Sequence, residues 1–284
     1  MIAASRRGTL VRVARLKSGR LADFTLWRLD APDGVGDVYT GRVDAVLPAL
    51  AGSFVALTPD LSGFLPDNAG GRGLTEGTYL TVRVTRSPQG GKGPRLAAIQ
   101  GQPGPTPGLI SRGPGPLLDL AASHPGDDII IDDYELIAQL RPQLEGRMGY
   151  AREVFDTQVE DEIAALHEPI ADLPFGARLH ITPAPAATLL DIDAGSASAT
   201  PPMALNLSLI PALCRQIRLR NLSGAILIDF AGLKAAQRLK LTAPLQAALS
   251  ADPQTPRLLG FSHHGFAEIT RPRLRPPLHE LLTP

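Results

Sequence analysis

The chain has 284 residues, with 28 Lys and Arg, 28 Asp and Glu, and one cysteine, Cys214. Zero net charge with 44% hydrophobic residues is typical of a folded globular protein and excludes a disordered, highly charged chain. A single cysteine excludes an intrachain disulfide framework and a four-cysteine metal site, and it favours a reducing, cytoplasmic location. No apolar run reaches the roughly 18 residues that a membrane-spanning helix needs, so we expect no membrane contact.

The first hundred residues have the alternating apolar and polar pattern of β-strands. Residues 1–30 alternate well, but they need not belong to the same sheet as the strands that follow. The next short runs are separated by turns rich in Gly, Pro and Asp, and they predict a small antiparallel barrel of about 65 residues. The expected barrel strands are 37–47, 52–57, 62–66, 78–86 and 95–99.

The composition changes at residues 101–116, which hold five glycines and five prolines. We expect a linker there, because these residue types disfavour helices and central strands. The sequence beyond the linker alternates strand-like and helix-like segments, which predicts a sheet covered by helices. The expected strands are 128–132, 177–182, 187–193, 224–230 and 257–262. The expected helices are 134–144, 154–166, 204–220 and 233–249.

Acidic residues end two of the apolar strands. Asp191 and Asp193 close the run ATLLDID, and Asp229 closes GAILIDF. Side chains alternate along a strand, so Asp191 and Asp193 point to one face and Ile192 to the other. If the two strands are neighbours, three carboxylates converge at one sheet edge and offer the oxygen ligands that Mg²⁺ prefers. The alternative is that these aspartates form turns or cap the next helix.

Aromatic and basic residues suggest a second site on the barrel. Phe54 and Phe64 lie on successive strands, and Arg86, Lys92 and Arg95 cluster in TRSPQGGKGPR. Exposed aromatics on such a barrel stack on unpaired bases, and a basic glycine-rich loop follows the nucleic-acid backbone. The alternative is that both phenylalanines belong to the barrel core and that the loop is an ordinary turn.

Two further basic stretches are candidates for phosphate contacts. Arg215 and Arg218 lie three residues apart on one predicted helical face, with Arg220 on another. The second stretch is TRPRLRPP, in which Arg271, Arg273 and Arg275 lie among prolines. The prolines favour an extended and exposed path for the second stretch. The alternative for both is a solvated surface without a ligand.

Six segments together resemble the ribonuclease E/G family of bacterial endoribonucleases. They occur in collinear order over nearly the whole chain. The segments are DVYTGRVDAVLPALAGSFVAL, SGFLPD, RSPQGGKGPRLA, DIDAGSA, LCRQIRLRNLSGAILIDF and GFSHHGFAEITRPRLRPPL.

The resemblance implies an α+β fold. An OB-fold barrel is inserted in an RNase H-like subdomain, and a DNase I-like α/β catalytic subdomain follows. The implied boundaries are 1–36 and 115–180 for the two parts of the RNase H-like subdomain, 37–100 for the barrel, 101–114 for the linker and 181–284 for the catalytic subdomain.

The resemblance also implies roles for individual residues. Asp191 and Asp229 fall on the two magnesium-binding aspartates of the family. Asp193 falls where the family typically has an asparagine that orients the reacting group. Phe54 and Phe64 match the barrel aromatics that hold single-stranded RNA, with Arg86 and Lys92 in the basic loop.

The sequence also departs from the family. The Gly/Pro linker stands where the family has its sensor for a 5'-monophosphate end, and Arg112 is a candidate remnant of that sensor. The zinc-link cysteines and the small dimerisation domain are not found before the end of the sequence at Pro284. We therefore expect no strong preference for monophosphorylated ends, and a homodimer, if one forms, that is not zinc-linked.

The function implied by the resemblance is that of a cytoplasmic, Mg²⁺-dependent endoribonuclease. It would cleave single-stranded RNA in RNA processing or decay and leave 5'-phosphate and 3'-hydroxyl ends. The alternative is a non-catalytic RNA-binding protein derived from the same family. Both predict salt-sensitive RNA binding, and only the enzyme predicts cleavage that EDTA abolishes.

Overall fold

The computed structural model describes residues 1–144 and 146–282. Its strands are β1 (Ile2–Arg7), β2 (Leu10–Lys17), β3 (Arg20–Arg28), β4 (Val38–Leu47), β5 (Gly52–Thr58), β6 (Leu61–Pro66), β7 (Tyr79–Arg86), β8 (Arg95–Ala98), β9 (Gly108–Ser111), β10 (Ile129–Ile131), β11 (Met148–Tyr150), β12 (Ile170–Asp172), β13 (Arg178–Pro183), β14 (Ala187–Asp193), β15 (Gly224–Asp229), β16 (Arg257–Phe261) and β17 (Ala267–Arg271).

Its α-helices are α1 (Gly115–Ser123), α2 (Tyr134–Leu144), α3 (Thr157–Ala165), α4 (Pro202–Leu219), α5 (Ala235–Arg238), α6 (Thr242–Leu249) and α7 (Leu278–Leu282). Short segments of 3-10 helix occupy Pro48–Leu50, Asp67–Ala69, Pro174–Gly176, Gly195–Ala199 and Leu239–Leu241. Among the helices described, none combines the length and the apolar character that crossing a bilayer requires.

The chain folds as two compact units. The barrel unit comprises residues 27–122 and 274–276, and the two-sheet unit comprises 1–26, 123–273 and the residues from Pro277 onward. In sequence, the barrel unit therefore interrupts the two-sheet unit. It begins at Trp27, earlier than the boundary at residue 37 that the resemblance implied for the barrel.

The barrel unit contains a closed barrel of five strands. The strand order is β5-β6-β8-β7-β4, and an additional pairing of β5 with β4 closes the ring. Neighbouring strands are antiparallel except for β6 and β8, which are parallel. This OB-like barrel confirms the strands expected from the alternating runs. Its interior is filled by alternating inward side chains, among them Val43, Val55, Leu65, Val82 and Leu96, all fully buried.

The segment expected to be a linker contains a strand. β9 pairs with the start of β4, with Tyr39 opposite Leu109 and Thr40 opposite Gly108. The prolines of 101–116 lie on either side of the sequence GLIS. This short stretch therefore keeps its backbone N–H groups and can form hydrogen bonds with a neighbouring strand. Residues 108–111 of the expected linker thus form an edge strand of this sheet, which the composition did not indicate.

The first sheet of the two-sheet unit has the order β11-β10-β1-β2-β3. β1 pairs with β2 in the antiparallel sense and with β10 in the parallel sense. Helix α3 covers this sheet with an apolar stripe, since Val159 and Ile163 are buried in the same cluster as Phe24, and Phe155, just before the helix, joins them. Asp156 caps the helix by accepting a hydrogen bond from the backbone N–H of Val159 at 2.8 Å.

The second sheet has the order β12-β13-β14-β15-β17-β16. β14 and β15 are parallel, and the other pairs are antiparallel. Side chains from α4 and α6 join one face of this sheet in a single hydrophobic cluster. On the opposite face the side chains of β13 and β14 are polar or exposed, in alternation with the buried ones. This open face carries the acidic residues.

The boundary that the resemblance implied at residue 180 does not coincide with a structural division. β12 and the first half of β13 precede that boundary, yet both belong to the second sheet. The two sheets also belong to one compact unit rather than two. The two sheets share core residues, because α4 packs on the second sheet while its Leu219 is buried, together with Leu278 of α7, in the hydrophobic cluster under the first sheet.

Candidate active site

Asp191 and Asp229 lie side by side at one edge of the second sheet. β14 and β15 are adjacent and parallel, so their carboxyl ends meet, and Asp191 is the register partner of Asp229. The neighbouring residues Leu190, Ile192 and Ile228 are buried in the core. Because side chains alternate along each strand, this burial holds both aspartates on the open face.

Asp193 lies on the same face as Asp191 but farther along β14. Asp191 and Asp193 are exposed while Ile192 between them is buried, which confirms the expected alternation. The carboxylate of Asp193 accepts a hydrogen bond from the backbone N–H of Gly195 at 3.0 Å. It thus forms the turn after the strand, which was the alternative interpretation of these acids. Among the described residues no group of three His, Cys, Asp or Glu side chains is close enough to hold one metal ion, so the three carboxylates do not form one metal-binding cluster. We call the two register partners, Asp191 and Asp229, the acid pair.

Arg238 holds Asp229 in place, and sequence reasoning missed it. Its Nη1 donates to Asp229 Oδ1 at 2.8 Å and to the carbonyl of Gly265 at 2.5 Å. Its Nε donates to the carbonyl of Leu233 at 3.0 Å. Arg238 is 14% exposed and Asp229 is 43% exposed, so the arginine is nearly enclosed while the carboxylate still meets solvent. No motif joins these two residues in the sequence, since they meet only through the loop after β15.

The acid pair fits a hydrated divalent cation. Mg²⁺ keeps several waters and is bound in proteins through one or two carboxylates and substrate phosphates. Asp191 has no hydrogen-bond partner among the described residues, and Asp229 shares one of its two oxygens with Arg238. Three carboxylate oxygens are thus available on one open face. Donors of this kind suit a hard cation.

The barrel carries a row of aromatic and basic side chains across four adjacent strands. Phe54 of β5 is the register partner of Phe64 of β6, Phe64 is the partner of Arg95 of β8, and Arg95 is the partner of Arg86 of β7. The two rings meet edge to face with centroids 5.7 Å apart, and the Arg95 guanidinium lies 6.0 Å from the Phe64 centroid. We call these four residues the barrel row.

The phenylalanines of the barrel row lie on the outside of the barrel. Phe54 is 41% exposed, whereas Ser53 and Val55 on either side are fully buried. The alternative that both phenylalanines fill the core is therefore wrong. Gly52 makes room for this arrangement, because a Cβ there would lie 2.5 Å from Cζ of Phe64.

The basic loop next to the barrel row is a tight hairpin. The backbone groups of Gln89 and Lys92 exchange hydrogen bonds of 3.1 and 3.2 Å around Gly90 and Gly91, which both have positive φ. Glycine is the residue that adopts this conformation without strain. Lys92 is exposed at the end of the turn. The loop therefore presents a cation beside the barrel row, as a backbone-binding loop requires.

A family model described as the Ribonuclease E/G family matches residues 127–274, which is just over half of the chain. The chain belongs to the ribonuclease E/G family. The matched residues include all of β14 and β15, and with them Asp191, Asp193 and Asp229. The closed barrel of β4 to β8 lies outside the match.

Named ribonucleases are among the relatives. Ribonuclease G of Salmonella typhimurium is 33% identical over 155 residues, covering 52% of this chain and 32% of the relative. Ribonuclease E of a Nostoc species is 33% identical over 127 residues, covering 42% of this chain and 18% of the relative. A ribonuclease E/G-like protein of Porphyra purpurea is 28% identical over 137 residues, covering 46% of this chain and 27% of the relative. The chain thus spans about a third or less of the length of these curated relatives.

The arginines of the segment RQIRLRNLSG, within the region matched by the ribonuclease E/G family, are structural. Arg215 donates to the carbonyl of Leu21 at 2.8 Å and pairs with Glu162 at 2.7 Å. Arg218 pairs with Asp23 at 3.1 Å. These contacts attach α4 to β3 and α3, so the candidate phosphate-binding role of this stretch gives way to a role in packing.

The other predicted RNA-binding arginines differ in accessibility. Arg271 is only 2% exposed and pairs with Asp252 at 2.8 Å, which is inconsistent with RNA contact. Arg112 pairs with the buried Asp37 at 2.8 Å, although its own side chain is largely exposed. Arg273 is exposed and lies over Gly224, where a Cβ would come within 2.3 Å of its Nη2. Arg273 and Arg112 thus keep the accessibility that the prediction needs, and Arg112 is already engaged by Asp37.

Proposed function

We propose that this protein is an endoribonuclease that cleaves single-stranded RNA with Mg²⁺ at Asp191 and Asp229. The observation that carries the proposal is the placement of these two acids as register partners at the carboxyl ends of parallel strands. Membership of a family whose named relatives are ribonucleases supports the reaction class. In this proposal the products carry 5'-phosphate and 3'-hydroxyl ends.

The roles of the residues follow from their positions. Asp191 and Asp229 would hold the cation through their accessible oxygens, and Arg238 keeps Asp229 oriented. Asp193, next on the same face, would orient the attacking water through its second carboxylate oxygen. When bound, Mg²⁺ supplies charge stabilisation at the phosphodiester and a lower pKa for its coordinated water.

The barrel row would bind the RNA strand. Phe54 and Phe64 offer ring faces and edges on which bases stack, and this contact tolerates any base sequence. Arg86, Arg95 and Lys92 would contact the phosphate backbone. Arg273 is a further candidate on the two-sheet unit, and Arg112 is a weaker one because Asp37 already engages it.

The two sheets support an assignment to the subdomains of the family. The first sheet joins three sequential strands, β1 to β3, to the later strands β10 and β11, with β1, β10 and β11 parallel. We assign it to the RNase H-like subdomain. We assign the second sheet, which carries the acid pair, to the DNase I-like catalytic subdomain.

Substitution of the acid pair tests the proposal. Asp191→Asn and Asp229→Asn each remove one anionic ligand at nearly constant volume, so we expect Mg²⁺-dependent cleavage of a single-stranded RNA oligonucleotide to fall by at least 100-fold. Asp161→Asn is the matched control, because Asp161 is an exposed acid on α3 of the same unit. Cleavage that persists in both active-site variants would refute the proposal.

One observation favours a second candidate, a non-catalytic RNA-binding protein. The guanidinium of Arg238 already pairs with the Asp229 carboxylate, so the negative charge of Asp229 is offset without a metal ion. If this pairing has replaced metal binding, the protein binds RNA in a salt-sensitive way and yields no shorter fragments when Mg²⁺ is added. Fragments that appear with Mg²⁺ and disappear with EDTA exclude this candidate.

A further inference from the structure

The strand next to the acid pair presents two basic side chains on the same face. In the antiparallel pairing of β13 with β14, His180 is the partner of Asp191 and Arg178 is the partner of Asp193. Directly opposed side chains of antiparallel strands lie on the same face of the sheet. Asp229, Asp191 and His180 therefore form one line across three strands, and Asp193 and Arg178 form the next.

The side chains of Arg178 and His180 do not stabilise the described part of the fold through hydrogen bonds or ion pairs. Arg178 is exposed and His180 is half-buried, and neither forms a hydrogen bond or ion pair with another described residue. Two other arginines of the second sheet and its helices, Arg238 and Arg271, are held by carboxylates and carbonyls. Packing and internal pairing therefore do not account for a free cation at Arg178.

The charge of the surrounding surface makes a cation useful there. Asp193 faces Arg178 from β14, and Asp172 faces it from β12. Together with Asp191 and Asp229 these acids give the open face a negative field that repels RNA phosphates. A permanent positive charge one strand away from the acid pair offsets this repulsion at the point where a phosphate must approach.

We infer that Arg178 and His180 bind RNA phosphate oxygens beside the acid pair and position the substrate for cleavage. Neighbouring strands are about 4.8 Å apart, which an extended arginine side chain spans. The planar guanidinium of Arg178 suits two oxygens of one phosphate, and an imidazole N–H of His180 suits one. The inference deepens the proposed function and rests on it.

The test compares Arg178→Ala and His180→Ala with a matched control, Arg257→Ala. Arg257 is an exposed arginine on β16 of the same sheet, also without an ion pair among the described residues. Arg257 is the register partner of Thr270, and Thr270 is the partner of Ala225 near the start of β15. Asp229 is at the other end of β15, so Arg257 lies far along the sheet from the acid pair. Its removal changes the net charge equally without touching the acid pair.

We expect Arg178→Ala to raise KM for a short single-stranded RNA about tenfold, the effect of one charge-assisted hydrogen-bonded contact. The slope of log KM against log salt should fall by about 0.7, which is one phosphate contact to a single strand. His180→Ala should raise KM about threefold, Arg178→Lys should restore part of the loss, and Arg257→Ala should change neither quantity. Equal behaviour of Arg178→Ala and Arg257→Ala would overturn the inference.

A substrate with one neutral methylphosphonate at the phosphate next to the cleaved one distinguishes loss of a phosphate contact from damage to the fold. If Arg178 contacts that phosphate, Arg178→Ala lowers kcat/KM for the natural RNA but has little further effect on the modified RNA. An equal loss on both substrates means that the substitution acts through the fold and contradicts the inference.

The failure of this inference is distinguishable from that of the proposed function. If Asp191→Asn abolishes cleavage while Arg178→Ala is silent, only the inference fails. If the protein does not cleave at all, the phosphate contact of Arg178 is tested by binding instead, with fluorescence anisotropy of the same oligonucleotide in the presence of Mg²⁺. Weaker binding by Arg178→Ala than by Arg257→Ala supports a phosphate contact, and equal binding rejects it.

Discussion

Substitution of Arg271 tests whether this arginine stabilises the fold instead of binding RNA. Its guanidinium donates to Asp252 Oδ2 at 2.8 Å, to Asn221 Oδ1 at 2.8 Å and to the carbonyl of Leu222 at 3.1 Å. Arg271 and Asp252 are 2% and 6% exposed. Arg271→Met keeps most of the apolar volume but leaves a buried carboxylate without its counter-charge. We expect a loss of about 3–5 kcal/mol in the free energy of unfolding, the cost of breaking a buried ion pair from one side.

Urea unfolding followed by circular dichroism measures this loss, and thermal unfolding should show a Tm lower by roughly 10 °C. Arg273→Met is the control, because Arg273 is exposed two residues away and should cost less than about 0.5 kcal/mol. The double variant Arg271→Met with Asp252→Asn should recover much of the stability, since it removes both charges. A stable Arg271→Met variant with weakened RNA binding would refute this account and restore Arg271 as an RNA ligand.

Three further predictions concern the barrel and the cysteine. Phe54→Ala should weaken binding of single-stranded RNA by about 1–3 kcal/mol at unchanged stability, as measured by anisotropy and urea unfolding, and unchanged affinity would mean that the exposed ring does not stack on a base. Gly52→Ala should also weaken RNA binding, although it removes no ligand group, because the new methyl would lie 2.5 Å from Cζ of Phe64 and 2.7 Å from the carbonyl oxygen of Leu65, so that the ring and the strand must shift. A variant that binds as the parent does would contradict this placement of the ring. Burial raises the pKa of the Cys214 thiol to about 12, so a thiol reagent at pH 8 should label the protein only after it unfolds, and fast labelling of the native protein would contradict that burial.

The alternating strands were predictable because their pattern is local. The barrel runs and the alternation at Asp191, Ile192 and Asp193 follow from a period of two, and burial of one face preserves that period in the folded chain. The outward position of Phe54 follows the same rule, although the residues alone favoured a core position. Only the register with Phe64 and Arg95 shows which face of the strand carries the row.

The errors come from contacts between residues distant in sequence. The prolines around Arg271 indicated an exposed path, but Asn221 and Asp252, which enclose its guanidinium, belong to other elements. The helix expected over 233–249 is observed as a helical run over 235–249, in which the 3-10 turn Leu239–Leu241 joins α5 to α6, and Pro244 lies in the first turn of α6, where proline is tolerated. The strand β9 was hidden because composition was averaged over the whole proline-rich segment.

Some site residues carry no sequence signal of their own. Arg238 meets Asp229 only through the loop after β15, and Arg178 lies beside Asp193 only through strand pairing. An isolated arginine in a chain with 24 of them is not distinguished by composition. Strand order and register are therefore the information that defines the site, and these are properties of the folded chain.

Cleavage by the single and double variants of the acid pair tests the central claim most directly. A 5'-labelled single-stranded RNA is incubated with the parent protein, Asp191→Asn, Asp229→Asn and the double variant, with Mg²⁺ or with EDTA. If the two aspartates hold one cation, the parent yields shorter fragments only with Mg²⁺, each single variant loses this activity, and the double variant is no worse than either one, because residues that act as a unit are not additive. Cleavage that survives EDTA, or that persists in the double variant, would contradict the claim.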